Sequence, residues 1–211
     1  MKLIFGTGAY AQNLAKTIDM SAIGIKIDGF WVDSMFFDGN INLALPVFSG
    51  EKVFSESTVY IGVTMELRKG PKFWRYIDNK VREFGGRIGG FCLSDTKRSE
   101  VSQAAMVFND CFMDLNSKIG YATQVRHSCY IGHDVTVGDF CYIAPRANIG
   151  SNVVIEGDAF VGFGATILPN VRIGRNVVIA AGAVVARSVA SNSLVGRQDK
   201  VITARDPFRL I

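Results

Sequence analysis

The sequence predicts a small α/β domain with a parallel sheet, followed by an all-β parallel β-helix built of hexapeptides. Three observations carry this prediction: an aliphatic residue every six positions, a small residue four positions after each, and strand–helix alternation before the repeat begins. In steps of six from Val101 the chain reads Val107, Met113, Ile119, Val125, Ile131, Val137, Ile143, Ile149, Ile155, Val161, Ile167, Ile173, Ile179 and Val185, without an insertion. Four positions after each stands Ala, Cys, Ser, Thr or Val, as in Ala105, Cys111, Thr123, Val135 and Ala159. In such a solenoid each hexapeptide makes one flat face and three faces close a triangular coil. The large residue fills a corner of the prism, and only a small one fits where the chain turns. Fifteen hexads make about five coils.

Before Val101 the six-residue phase is absent. Lys2–Phe5 reads as a short buried strand, followed by a helix to about residue 18. Residues 25–32 (IKIDGFWV) read as a second strand, and residues 59–63 as a third, entered after a turn-rich segment from Leu45 to Ser57. Residues 71–84 read as a helix, because Phe73, Trp74, Ile77, Val81 and Phe84 recur at spacings of three and four. Gly85 and Gly86 end it, and residues 87–93 read as a fourth strand. Alternation of this kind implies a small parallel sheet of the mononucleotide-binding type over residues 1–94. A polar linker, Ser94 to Glu100, leads to the β-helix at 101–190 and a tail at 191–211.

The segment Gly6-Thr7-Gly8-Ala9-Tyr10-Ala11 fits G-x-G-x-x-[GA] between the first strand and its helix. Glycines there let backbone N–H groups approach a phosphate at the helix N-terminus. Asp33 closes the second strand, where a carboxylate can accept from ribose hydroxyls. The same residues also suit a plain tight turn with a solvated strand end. A domain this short has no room for two mononucleotide-binding halves, so it suits a nucleotide diphosphate better than a dinucleotide.

Composition narrows the classes. Hydrophobic content of 48% with 20% charged residues is an ordinary globular balance over 211 residues. The net charge of +4 is modest and scattered, which disfavours nucleic acid and suits an anionic small molecule. No apolar stretch approaches the ~18 residues that span a bilayer, and the start lacks a signal-peptide core, so a cytoplasmic protein without a membrane role is expected. Cys111, Cys129 and Cys141 fall in the small column and read as packed thiols, and no cysteine or histidine has metal-ligand spacing.

Chemistry falls to two histidines, His127 and His133, one hexad apart and therefore on different parts of a coil. His133 is followed by Asp134, an orienting acceptor, and positions eighteen apart stack, which places Ser151 over His133. A histidine so held can take a proton from an amine or hydroxyl, and the Ser151 backbone N–H can face a developing oxyanion. The same pair also fits a surface histidine with no further role. His127 lacks a following acid and reads as non-catalytic. Arg126, Arg146 and Arg172 read as outward-facing and solvated.

The run from His133 through Phe140 with Ile143-Ala144-Pro145, the run from Ala159 to Pro169 and the run from Ile179 to Val185 together resemble the hexapeptide acyltransferases that acetylate nucleotide sugars. That group includes the UDP-4-amino-sugar acetyltransferase of the bacillosamine pathway and sialic-acid O-acetyltransferase relatives. The resemblance covers nearly the whole chain. It implies a left-handed β-helix behind a Rossmann-like domain, a homotrimer with sites between subunits, and acetyl-CoA as acyl donor. It further implies His133 as general base, Asp134 raising its basicity, and the Ser151 amide polarising the thioester. Phe163 and Ala181 match positions along the CoA groove, and Thr7, Gly8, Ala9 and Asp33 match the nucleotide-sugar site.

Three departures stand out. Tyr142 replaces a second histidine, nine residues after the base, that touches the acetyl group in relatives; a phenol donates the same hydrogen bond. Asp33-Ser34 replaces paired acids. Gly196-Arg197-Gln198-Asp199-Lys200 replaces Gly-x-Pro-Ala-Lys, with Lys200 at the position that meets CoA. The function expected is N-acetylation of a nucleotide-linked amino-sugar. The alternatives are sugar O-acetylation by the same base, or a trimeric scaffold that binds sugar nucleotides without chemistry.

Overall fold

The computed structural model describes residues 1–5, 9–20, 24–32, 43–49, 57–61, 70–83, 85–94, 99–196, 201–203 and 207–210. The chain forms two compact units, Met1–Glu66 with Trp74–Gly89, and Leu67–Phe73 with Gly90–Ile211. None of the described helices is long and apolar enough to cross a membrane.

The first unit holds a five-stranded parallel sheet of order β3-β2-β1-β4-β5. Its strands are β1 (Lys2–Phe5), β2 (Gly29–Val32), β3 (Val47–Ser49), β4 (Thr58–Ile61) and β5 (Arg87–Ile88). Helix α1 (Ala9–Met20) links β1 to β2, and α2 (Gly70–Glu83) precedes β5. Leu3, Ile4, Val59, Trp74, Ile77 and Val81 are fully buried, as their spacing predicts. Two expectations are corrected. Part of the turn-rich segment is a strand, β3, which pairs Val47 with Phe30. The strand expected over 87–93 is broken in two, because β6 (Phe91–Cys92) leaves the first sheet and pairs with Met106–Val107 of the repeat. Gly89 and Gly90 make the break. A β-carbon on Gly90 would fall 2.1 Å from the Ala105 carbonyl oxygen, so only glycine lets the chain join the solenoid there.

The second unit is a parallel β-solenoid. Fifteen two-residue strands, from Glu100–Val101 to Val184–Val185, follow at intervals of six and fall in turn on three sheets. Wall 1 holds Glu100–Val101, Lys118–Ile119, Thr136–Val137, Val154–Ile155 and Arg172–Ile173. Wall 2 holds Met106–Val107, Gln124–Val125, Tyr142–Ile143, Phe160–Val161 and Val178–Ile179. It is extended by β6 and by Ser193–Val195, which pairs antiparallel with Val201–Thr203. Wall 3 holds Phe112–Met113, Tyr130–Ile131, Asn148–Ile149, Thr166–Ile167 and Val184–Val185.

Among the fifteen hexad strands every register pairs residues eighteen apart, such as Ile131 with Ile149, so each hexad position stacks on its own kind. From Val107 to Val185 the hexad aliphatics are at most 4% exposed, and with the small column they form one continuous core. Each buried aliphatic contributes about 1.5–3 kcal/mol of transfer free energy. Two small-column positions are polar and satisfied. The Thr123 hydroxyl donates to the Gly138 carbonyl (2.7 Å) and accepts from the Cys141 amide (3.0 Å); Ser117 donates to the Asp114 carbonyl (2.9 Å).

From Val107 to Ile179 each hexad also carries a residue in the left-handed region, three positions after the aliphatic. Asp110, Asn116, Ala122, Ser128, Asp134, Phe140, Arg146, Asn152, Asp158, Gly164, Asn170, Asn176 and Gly182 have φ between 51° and 68°. Side-chain amides and carboxylates tolerate that conformation best, which accounts for the Asn and Asp that recur there.

Candidate active site

His133 stands where wall 3 turns into wall 1, directly after Gly132 and the strand Tyr130–Ile131. The residue before it is glycine because the next coil passes close by. A β-carbon on Gly132 would lie 2.8 Å from both the amide nitrogen and the hydroxyl of Ser151. The His133 side chain is 48% exposed. Its Nδ1 lies 2.8 Å from Oδ2 of Asp134, and an ionised carboxylate can only accept, so Nδ1 is the donor. The left-handed turn at Asp134 (φ 58°) folds the carboxylate back beside the preceding imidazole. Asp134 lies below the ordinary carboxylate range, first because His133 donates to it and second because the Asn116 side-chain amide does, at 3.1 Å. With Nδ1 occupied, the Nε2 lone pair is left to the outside.

Ser151 occupies the same corner one coil later. The amides on either side of it serve the backbone ladder: Gly150 donates to the Ile167 carbonyl (2.8 Å) and Asn152 to the His133 carbonyl (3.0 Å). The Ser151 N–H has no acceptor among the described residues. It is a donor in reserve, one strand spacing from the His133 backbone.

Phe163 and Ala181 come together, but at a different corner, where wall 2 turns into wall 3 above His127 and Pro145. Phe163 is 58% exposed and its carbonyl accepts from the Gly182 amide at 2.8 Å. Gly162 allows the close stacking, since a β-carbon there would meet the Ala181 amide at 2.5 Å. Tyr142 stands apart from both. It is buried on wall 2 (6% exposed), stacked on Phe160 with ring centres 5.4 Å apart and planes at 5°. The His133 corner joins the other two walls, so one chain does not bring Tyr142 to the imidazole. Burial raises the Tyr142 phenol, which keeps its hydroxyl protonated.

Arg126 is not the solvated side chain the sequence suggests. It is 9% exposed, with its guanidinium 3.8 Å over the Phe108 ring. His127 also packs against that ring (centres 5.0 Å apart), and burial followed by the Arg126 charge pushes its imidazole down. The ring is thereby kept neutral and held in packing.

Ala9 opens α1, while Thr7, Gly8, Asp33, Arg197 and Lys200 lie outside the described residues. The first unit also encloses a cavity of about 330 Å³ between α1 (Gln12, Ala15, Lys16), Lys26, Ile27 and Phe30 at the start of β2, and Leu43–Leu45. It lies at the amino end of β2. Sequence reasoning missed Asn116, although its eighteen-residue spacing from Asp134 gives it away. No group of metal ligands occurs among the described residues.

Residues 152–187 match the family described as bacterial transferase hexapeptide (six repeats). The fold is shared with solved acetyltransferases over nearly the whole chain. Perosamine N-acetyltransferase from Caulobacter crescentus, solved with CoA and GDP-perosamine as variants of one histidine, superposes with a TM-score of 0.82 at 18% identity over 96% of this chain and 97% of that one. The acetyltransferase domain of PglB from Neisseria gonorrhoeae, with acetyl coenzyme A, gives 0.78 at 17% over 96% and 98%. WeeI from Acinetobacter baumannii gives 0.79 at 19% over 96% and 99%. These findings bear out the resemblance to nucleotide-sugar acetyltransferases as a shared repeat and fold. No curated protein matches the chain by sequence.

Proposed function

We propose that this chain is an acetyltransferase that moves the acetyl group of acetyl-CoA to the amino group of a nucleotide-linked amino-sugar, with His133 as general base. The observation that carries the reading is the exposed His133 ring, tied at Nδ1 to Asp134 and open at Nε2. Acetyl-CoA supplies the activated acetyl group. As the amine attacks, Nε2 accepts its proton and Asp134 stabilises the imidazolium that forms. The free Ser151 N–H donates to the thioester oxygen as negative charge gathers there. The imidazolium returns that proton to the departing sulfur, which leaves as CoA thiol, and no covalent enzyme intermediate is required. Support comes from fold neighbours solved with CoA and GDP-perosamine, one of them as histidine variants.

In this reading the solenoid is left-handed and the first unit is Rossmann-like, its Thr7, Gly8, Ala9 and Asp33 receiving the nucleotide. Phe163 and Ala181 line the pantetheine and adenylate groove, and Lys200 meets CoA phosphates. The His133 corner and the Phe163 corner are separated by wall 3 within one chain. A homotrimer working in the cytoplasm joins them, the imidazole of one copy facing the Phe163 corner of the next. A role for Tyr142 needs the same neighbour, because its own wall does not reach its own His133.

The test is thiol release from acetyl-CoA with a panel of UDP-, dTDP- and GDP-linked amino-sugars and their hydroxyl counterparts. Release with an amino-sugar, falling at least 10²-fold in His133→Ala, supports the reading. Release only with hydroxyl sugars would make the chain an O-acetyltransferase. No release with any sugar would leave a scaffold.

A further inference from the structure

Corner side chains of the solenoid pair one coil apart. Asn152 Nδ2 donates to Asn170 Oδ1 at 3.2 Å, and Asn176 Nδ2 donates to Asn192 Oδ1 at 2.7 Å. The pair of Asn116 and Asp134 belongs to this pattern by position and departs from it in chemistry. Asn116 Nδ2 donates to Oδ1 of Asp134 at 3.1 Å, while the other oxygen accepts from His133 Nδ1 at 2.8 Å. Above Asp134 the ladder is interrupted, because Asn152 spends its amide on Asn170. The carboxylate therefore has one donor from below and one from its own turn, on separate oxygens. Only a narrow range of carboxylate rotation satisfies both donors.

We propose that Asn116 is a positioning residue for the general base: its side-chain amide fixes the plane of the Asp134 carboxylate, which holds His133 as the Nδ1–H tautomer with Nε2 open to the incoming amine. The proposal rests on the reading of His133 as base and adds the group that orients it. Which imidazole nitrogen carries the proton is set by the hydrogen bond the other side of the ring makes. A carboxylate free to turn about its χ2 releases Nδ1 for part of the time, and the ring then exchanges tautomers. Asn116 touches no reacting atom; it acts through Asp134.

Asn116 sits at φ 59°, where glycine is at ease, so Asn116→Gly removes the amide and leaves the turn intact. Asn170→Gly is the matched control, since it removes the Asn152–Asn170 bond in the same column at φ 63°. The primary readout is the ¹⁵N spectrum of the neutral His133 ring in the protein without substrates, assigned with the help of His127→Gln. Wild type and Asn170→Gly are expected to show a single Nδ1–H form, and Asn116→Gly a mixture. Asn116→Asp, which sets an acceptor against an acceptor, is expected to move the ring at least as far. In turnover, Asn116→Gly is expected to lower kcat roughly tenfold with little change in KM, as loss of orientation does. A single Nδ1–H form retained in both Asn116 variants would overturn the proposal. The spectrum needs no substrate, so it decides the role of Asn116 even if the turnover assay disproves the base.

Discussion

At φ 58° Asp134 turns the backbone through a prism corner and, by the same geometry, lays its carboxylate against the ring of His133. Asparagine accepts that backbone as readily, so Asp134→Asn isolates the charge from the fold. An amide can present its nitrogen to Nδ1 and favour the other tautomer, and loss of the acid removes the partner of the imidazolium. We expect kcat for acetyl transfer to fall by two to four orders of magnitude, with the circular dichroism spectrum unchanged. The acid also links stability to pH. Its folded value is depressed, so its contribution is fully present above about pH 4 and is lost as pH falls through the lower folded value. Urea midpoints measured between pH 5 and pH 2.5 should therefore fall less steeply in Asp134→Asn than in wild type. Gly132 gives a second handle at this scale. Gly132→Ala forces a methyl to within 2.8 Å of the Ser151 amide and must push that donor off the His133 corner. The expected result is a loss of about 10²–10³ in kcat, the size seen when one oxyanion donor is removed, with KM for acetyl-CoA nearly unchanged.

At the scale of the hexapeptide, the sequence announces the core and hides the turn. The aliphatic and small columns are visible because burial selects them chemically, and every hexad aliphatic after Val101 is indeed inside. The left-handed residue three positions later is a backbone requirement. It is met by Asp and Asn at some coils and by Ala122, Phe140 and Arg146 at others, so no residue type marks it. The break between β5 and β6 is hidden for a related reason, since Arg87 to Leu93 reads as one apolar strand until the Ala105 carbonyl demands a glycine. Likewise nothing in a six-residue period says which wall is covered, so Arg126 reads as outward-facing although it is buried. The site divides along the same line. His133, Asp134 and Ser151 are legible from an acid next to a histidine and a spacing of eighteen, whereas the second donor to the carboxylate appears only once the coils are stacked. The hidden turn is open to experiment. Arg146 is exposed and holds φ 61°, a conformation disfavoured by about 1–2 kcal/mol for a side chain of its kind. Arg146→Asn should raise the unfolding free energy by about 0.5–1 kcal/mol, read as a higher urea midpoint at constant m.

For the whole molecule the proposed function requires the His133 corner and the Phe163 corner to meet. Wall 3 lies between the His133 corner and the Phe163 corner, and its outer surface is unusually apolar for a solvated sheet. Phe112 (56% exposed) stacks on Tyr130 (41% exposed) with planes 3° apart, and Val184, three coils further along the same wall, is exposed too. A stacked pair of exposed aromatics marks an association surface more often than chance exposure. Wall 1 differs, presenting Lys118 to Glu100 at 3.0 Å and Arg172 to Glu156 at 2.8 Å, pairs suited to water. If wall 3 is the contact, lysines there will separate the copies while the prism, whose core lies on the inner face, stays folded. Phe112→Lys with Tyr130→Lys should reduce the sedimentation mass from about three times the 23.0 kDa chain to the single chain. Thiol release should fall with it, because His133 then lacks the Phe163 corner of a neighbour, and it should return when the double variant is mixed with wild type and allowed to exchange. A double variant that remains assembled would place the contact elsewhere. One that dissociates and keeps full activity would mean that a single chain holds the donor without help.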